Sequence, residues 1–432
     1  MSTNSYIEVV PSNVNANASI SFAGGNPVLQ FIVGSQDRML LGNSVRFVGK
    51  FFTRLSSGSM SSSNVSPLSM DEKLGVMGCI ETLTIKSQRT GQTLETIRHY
   101  NRFLASYLPV TTSAQDGIGH QYETNLSLPN YAAQQQAVVQ IPSGSTTGNS
   151  FCVSLPCGLF NGQNPIPLME DMVGGLLIEL HLAPDSNVFH SDTTSSASIS
   201  ESFYEFSDVS LCAELVTPDP QQMSSIASTG TFEYNSLATY YQTINSGNGI
   251  LNFQLGLSRV LGVFCNLIPA AHINNLVHKG LATLYPVNSD ATPAQIEELF
   301  FTRNGEKIPI SYNIDTLQRT DKSNDTMDAQ IVFQYMNAVE KFAQLNRTSL
   351  NPVNTRYGSA TSFDKFFADG GSGFGIGVAL DSISDQGMDY SRVNFGINMS
   401  LNLTTDFPNA FYMFVHHKST LVFSPQGLQV LQ

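Results

Sequence analysis

Ile80-Glu81-Thr82-Leu83-Thr84-Ile85, followed by Arg89-Thr90-Gly91, has an echo later in the chain. Ile296-Glu297-Glu298-Leu299-Phe300-Phe301 is followed by Arg303-Asn304-Gly305. The six-residue runs stand 216 residues apart and the turns 214 apart, in a chain of 432. Each pairs a β-rich run with a Gly-containing turn, the pattern of a strand entering a hairpin. Two other pairs keep a similar spacing. Phe151–Leu155 matches Phe374–Val378 at 223, and Leu176–Leu182 matches Phe395–Leu401 at 219. Shared order and a near-constant offset predict a tandem duplication of one β-sandwich. A competing reading exists for the second run: Thr292-Pro293-Ala294-Gln295 has the form of a helix start with a capping box, which would make Ile296–Phe301 helical.

Outward from these pairs, short strands separated by Gly, Pro, Asn and Ser dominate. Val45–Phe51 alternates apolar with polar or small positions, and Leu176–Leu182 does so over its second half. Further strands are expected at Val28–Val33, Ala137–Ile141, Phe151–Leu155, Tyr204–Val216, Phe232–Tyr241, Leu251–Leu257, Val260–Ile268, Gly375–Leu380, Val393–Leu403, Phe411–His416 and Thr420–Phe423. Helical spacing is rarer. Leu94, Ile97, Phe103, Leu104, Tyr107 and Leu108 predict one helix stopped by Pro109, and Ala329–Leu345 a second, so one helix follows the echoed hairpin in each half. Gln221–Ile226 fits a short third. Ser56–Ser69, Ser143–Ser150 and Asp192–Ser202 read as long surface loops. Thr217-Pro218-Asp219-Pro220 marks a boundary. The expected fold is all-β: two tandem jelly-roll β-sandwiches with a few short helices in the connecting loops. The division is 1–216, a linker 217–230, and 231–432.

Composition narrows the function. Charged residues make up 13% of the chain, against a usual value of about 25%. Ser, Thr, Asn, Gln and Gly replace them, a trait of secreted, virion and cell-surface proteins. The 21 Lys and Arg against 34 Asp and Glu give a net charge of −13. That disfavours binding to a phosphate backbone. From Phe103 to Ser258 there is no Lys or Arg against thirteen Asp and Glu, and the first basic residue of the chain is Arg38, so there is no basic arm. Met1-Ser2-Thr3-Asn4-Ser5 lacks the charged and apolar regions of a signal peptide, so export by that route is not expected. The Asn sequons at 17, 64, 125, 324, 346, 398 and 402 then follow from an Asn/Ser/Thr-rich composition. No apolar run approaches the ~18 residues of a membrane span. Cys79, Cys152, Cys157, Cys212 and Cys265 are odd in number and form no CxxC pair, which reads as free, buried thiols.

The stretch Phe151-Cys152-Val153-Ser154-Leu155-Pro156-Cys157-Gly158-Leu159-Phe160, then Pro165-Ile166-Pro167-Leu168 and Gly174–Leu180, resembles the late-strand region of the first jelly roll in double jelly-roll major capsid proteins. Arg303-Asn304-Gly305 with Ile308-Pro309 resembles the hairpin early in their second jelly roll. The similarity is nearest to the polinton-like virus and virophage branch of tailless icosahedral double-stranded DNA viruses. It implies a structural protein of the virion capsid, assembled inside the host cell and without catalysis. It implies a homotrimer whose six jelly rolls form a pseudo-hexagonal capsomer that tiles an icosahedral shell, with loops raised as towers on the outer face. The partners implied are other copies of the chain, neighbouring capsomers, penton and minor capsid proteins and an inner membrane, with no sequence-specific contact to nucleic acid. Large interfaces deplete charge, in keeping with the composition, and an acidic outer surface keeps particles soluble.

Catalytic signatures are missing from the sequence: no HExxH, no Walker Gly-Lys-Ser/Thr and no GxSxG. No catalytic, cofactor-binding or metal-binding residue is assigned. Gly371, Gly373, Gly375 and Gly377 alternate within a strand-like run, outside any βα context, and read as a flexible or closely packed strand entry. His416 and His417 fall on opposite faces of a strand and cannot chelate one ion as neighbours. Asp321, Asn324, Asp325 and Asp328 lack the Gly and closing Glu of an EF-hand loop. Glu170-Asp171, the adjacent acid pair of the basic-free stretch, reads as a solvated loop. A two-domain β-sandwich adhesin, lectin or virion spike is the alternative, weakened by the absence of Trp for sugar stacking. An enzyme of cupin type would require a His/Glu metal cluster that the sequence does not display.

Overall fold

The computed structural model describes residues 4–15, 17–55, 69–70, 74–111, 149–162, 164–190, 202–218, 220–245, 247–275, 296–309, 314–315, 329–345, 376–380, 386–402, 408–424 and 427–432. Within them, eight strands of the first half and eight of the second repeat one plan. The first set is β1 (Ser5–Val9), β2 (Val28–Val33), β3 (Met39–Leu55), β4 (Ile80–Ser87), β5 (Thr93–Arg98), β6 (Asn149–Ser154), β7 (Leu176–Leu182) and β8 (Ser202–Val216). The second is β9 (Thr231–Ile244), β10 (Asn248–Gln254), β11 (Val260–Pro269), β12 (Ile296–Arg303), β13 (Glu306–Lys307), β14 (Ile376–Ala379), β15 (Asn394–Leu401) and β16 (Asn409–Ser424). One sheet of the first half runs β1-β8-β3-β6 and the other β2-β7-β4-β5. The second half runs β9-β16-β11-β14 and β10-β15-β12-β13. Adding eight to each label converts one half into the other. All pairings are antiparallel. Two such four-stranded sheets with crossing connections make a jelly roll. Short strands flank this frame, such as Ile166–Pro167 beside β3 and Gly427–Leu431 beside β16.

The repeat extends to register. Ile85 of β4 stands opposite Ile178 of β7, and Phe301 of β12 stands opposite Ile397 of β15. These are offsets of 216 and 219, the spacings read in the sequence. Both pairs of strands also shift register at the same place, between Ile80 and Thr82 and between Ile296 and Glu298. Ile296–Phe301 is therefore strand, and the helix-start reading fails. The four residues on which it rested lie outside the described residues. Asn304 and Gly305 both take positive φ, 51° and 87°, the two-residue turn that matches strand twist and that Asn-Gly favours.

Among the described residues three helices of ten residues or more sit in the connections, α1 (Tyr100–Thr111), α2 (Pro220–Thr229) and α3 (Ala329–Ala343), beside a single helical turn at Asp185–Val188. In each half a helix lies between the fifth and sixth strands. The expected helix over Leu94–Leu108 is corrected at both ends. Leu94 and Ile97 face inward from β5, His99 turns the chain at φ 54°, and the helix begins at Tyr100. Pro109 lies within the last turn rather than stopping the helix. Phe411–His416 and Thr420–Phe423 join into one strand, β16. The expected strand Ala137–Ile141 lies outside the described residues. So do almost all of the three expected loops, Asp321–Asp328, Gly371–Gly375 and the sequons at 64, 125, 324 and 346.

Two apolar cores fill the sandwiches. One is built on Phe31, Phe47, Phe51, Ile85, Ile178 and Phe206, the other on Val263, Leu299, Phe301, Ile397, Met413 and Val415. The first core continues across into the second half, where Phe264, Phe342, Tyr412 and Phe414 belong to it.

Candidate functional site, the seam between the sandwiches

The alternation of β16 explains the seam. Phe411, Met413 and Val415 enter the second core, while Tyr412 and Phe414 join the first. Every residue from Asn409 to His417 is buried, so this sheet is covered on both faces. The equivalent row of the first half is different. Across β8, β3 and β6 the row reads Cys212, Arg46, Ser154. Across β16, β11 and β14 it reads Phe414, Phe264, Gly377. Aromatic side chains replace polar ones where the chain covers its own sheet.

α1 supplies the cover. Phe103 lies 5.6 Å from Phe264, 5.3 Å from Phe414 and 5.4 Å from Phe342 of α3, ring centre to ring centre, and stacks on Tyr107 at 5.1 Å. Offset and edge-on aromatic pairs of this kind add to their burial. Hydrogen bonds cross at the same level. Tyr335 donates its hydroxyl to the Ser106 carbonyl, and Asn266 donates to the Arg102 carbonyl. α3 seats on β14 because Gly377 leaves room: a Cβ there would stand 2.7 Å from Tyr335 Cδ2. Of the two readings of the glycine run, flexible or closely packed, Gly377 fits the second.

A charged group closes one end. Arg102, 2% exposed, sets Nη1 2.9 Å from Glu81 Oε1 and lies 4.9 Å over the Tyr412 ring. His99 Nδ1 is 2.6 Å from the same oxygen. Burial works against the Glu81 charge. The His99 hydrogen bond and the Arg102 charge outweigh it and hold the carboxyl below its ordinary range.

Glu95 ties three segments together. Gly158 donates its N–H to Oε1 at 3.0 Å, Leu159 to Oε2 at 2.8 Å, and Leu237 of β9 to Oε1 at 2.8 Å. Beside it Tyr234 donates its hydroxyl to the Leu94 carbonyl at 2.6 Å. Burial pushes the Glu95 carboxyl up to about 7 against the pull of its three N–H donors. Gly158 presses on the second half so closely that a Cβ would lie 2.4 Å from the Asn235 carbonyl oxygen and 2.5 Å from Ser236 Cα.

His416 and His417 are both buried, and neither ring nitrogen of His416 has a hydrogen-bond partner. Burial lowers them to about 3 and about 4, so both are neutral. His416 packs its ring edge-on to Phe342 at 5.2 Å. Among the described residues no three His, Cys, Asp or Glu side chains gather as metal ligands. Glu170 and Asp171 lie exposed on a turn. All five cysteines are free; Cys79, Cys157 and Cys265 are buried, and Cys152 and Cys212 are half-buried. No helix among the described residues is long and apolar enough to cross a membrane.

Solved structures similar to this chain include viral capsid proteins. VP54 of PBCV-1, fitted into a reconstruction of the virophage Sputnik, matches with a TM-score of 0.57 at 13% identity, over 100% of this chain and 97% of that one. The chain has a double jelly-roll fold shared with viral capsid proteins. The Faustovirus major capsid protein matches at 0.55 and 9% identity, over 98% and 91%. A chain of the Sputnik virophage matches at 0.53 and 13%, over 99% and 88%. No protein-family model and no curated protein matches the sequence.

Proposed function

We propose that the chain is a major capsid subunit, a structural and non-catalytic protein of the virion. Three copies form a pseudo-hexagonal capsomer, and capsomers tile an icosahedral shell. The observation that carries the reading is the repetition of one strand order, with a register shift shared by the β4–β7 and β12–β15 pairs, within a chain that matches viral capsid proteins over its whole length. Two equivalent sandwiches per chain turn three-fold symmetry into six similar edges. We assign residues 1–216 to the first sandwich, 217–230 to a linker and 231–432 to the second.

The seam supplies a template for assembly. α1 of the first sandwich, together with α3, covers the outward face of the β9-β16-β11-β14 sheet. The equivalent face of the first sandwich, with Arg46, Val48, Cys212 and Glu214, would meet the second sandwich of the next copy. Its polar character suits a surface that is wet before assembly and buried after it. Neighbouring capsomers, penton and minor capsid proteins and an inner membrane complete the proposed surroundings, and the acidic chain makes no specific contact with nucleic acid. Negative-stain images test the reading: class averages of the purified protein should be six-lobed tiles with three-fold symmetry. Isolated two-lobed particles would favour an adhesin or spike.

A further inference from the structure

The carboxyl of Glu95 is buried at the seam, with no cation against it among the described residues. Its three hydrogen-bond donors are neutral backbone amides, from Gly158, Leu159 and Leu237. No Lys, Arg or His side chain forms an ion pair with it among the described residues. Tyr100 faces it from α1, Cys157 from the turn after β6, and Tyr234 from β9. Burial raises all three above their ordinary values, so they stay neutral near pH 7. His416 and His417 stand opposite Leu237 and Ser236 on β16 and are neutral there as well. An ionised Glu95 is thus a lone charge between two sandwiches, held only by dipoles. A lone buried charge is costly unless it is neutralised.

We propose that Glu95 is a proton-operated clasp: one proton taken from solvent onto its carboxylate removes the buried charge and fastens the two sandwiches more firmly. The clasp depends on the seam within one chain and is independent of what the chain assembles into. The sign follows from linkage. The closed seam binds this proton more tightly than an open one, so closure strengthens as pH falls from about 8 toward 5 and weakens on the way back.

Hydrogen exchange on the full chain tests it, with the Leu237 and Leu159 amides as reporters. Rates are corrected for intrinsic exchange and compared with Glu95→Gln, a subtraction that also removes the opposing effect of the histidines. The protection of wild type relative to the variant should rise on the order of 10–50-fold from pH 8 to pH 5.5. A ratio that stays flat or falls overturns the proposal. Should the variant fail to fold, infrared spectra of wild type labelled with 13C-glutamate provide the second reading. A glutamic-acid carbonyl band that appears as pH drops through about 7 supports the clasp. A band that appears only near the ordinary glutamate range, about 4.3, overturns it.

Discussion

Replacing Gly158 by Ala puts one methyl where the structure has no space. The new carbon would stand 2.4 Å from the Asn235 carbonyl oxygen, 2.5 Å from Ser236 Cα and 2.6 Å from the Asn235 carbonyl carbon. All three are backbone atoms of β9, so no side chain can rotate away. Restoring ordinary contact of about 3.4 Å needs the two sandwiches to part by roughly 1 Å. That displacement stretches the Leu237 bond to Glu95 and the Tyr234 bond to Leu94, which cross the seam. Overpacking costs about 1–3 kcal/mol, and loss of one hydrogen bond to a charged group about 1.5–3 kcal/mol more. The expected total is roughly 2.5–6 kcal/mol in urea unfolding monitored by circular dichroism. Gly249→Ala is the control, since its new methyl meets nothing within 4 Å. It should stay within about 0.5 kcal/mol of wild type. If Gly158→Ala is as stable as Gly249→Ala, the close backbone contact at the seam is wrong, and so is the clasp geometry built on it.

Phe103→Ala removes the ring at the centre of the aromatic cluster and should cost about 3–5 kcal/mol in the same unfolding assay. A cost below about 1 kcal/mol would mean that α1 does not hold the seam. His416 titrates with the opposite sign to Glu95. Its folded value is lowered to about 3 from 6.5, so its contribution is present above pH 6.5 and is lost as pH falls toward 3. His416→Leu has no such group, so the stability of wild type relative to this variant should drop by about 2–3 kcal/mol from pH 7 to pH 4.5. A constant difference would show that His416 is not a buried neutral imidazole.

Much of the architecture was legible because strand pairing leaves period-2 traces and duplication leaves an offset. Ile80–Ile85 and Ile296–Phe301 gave both, and their register proved equivalent. The seam was far less legible. Leu94 and Ile97 fit a helical spacing as well as a strand, and only the turn at His99 separates them from α1. Tyr412 and Phe414 read as the ordinary apolar positions of a strand. That they cover a face opposite to Met413 and Val415 depends on a sandwich more than a hundred residues upstream. Glu95 carries no local mark, for a Glu among Thr and Leu reads as an exposed strand position. Its role depends on the turn at Gly158 and on β9, which no short window of sequence connects. Gly158 itself lies within the stretch that suggested the capsid resemblance, yet nothing in that stretch tells what its missing side chain allows.

The central claim is a trimer built from a duplicated sandwich, and light scattering after size exclusion measures it most directly. A subunit of 46.9 kDa predicts a single species near three times that mass, about 141 kDa. A stable, monodisperse species of about 47 kDa at micromolar concentration would contradict it.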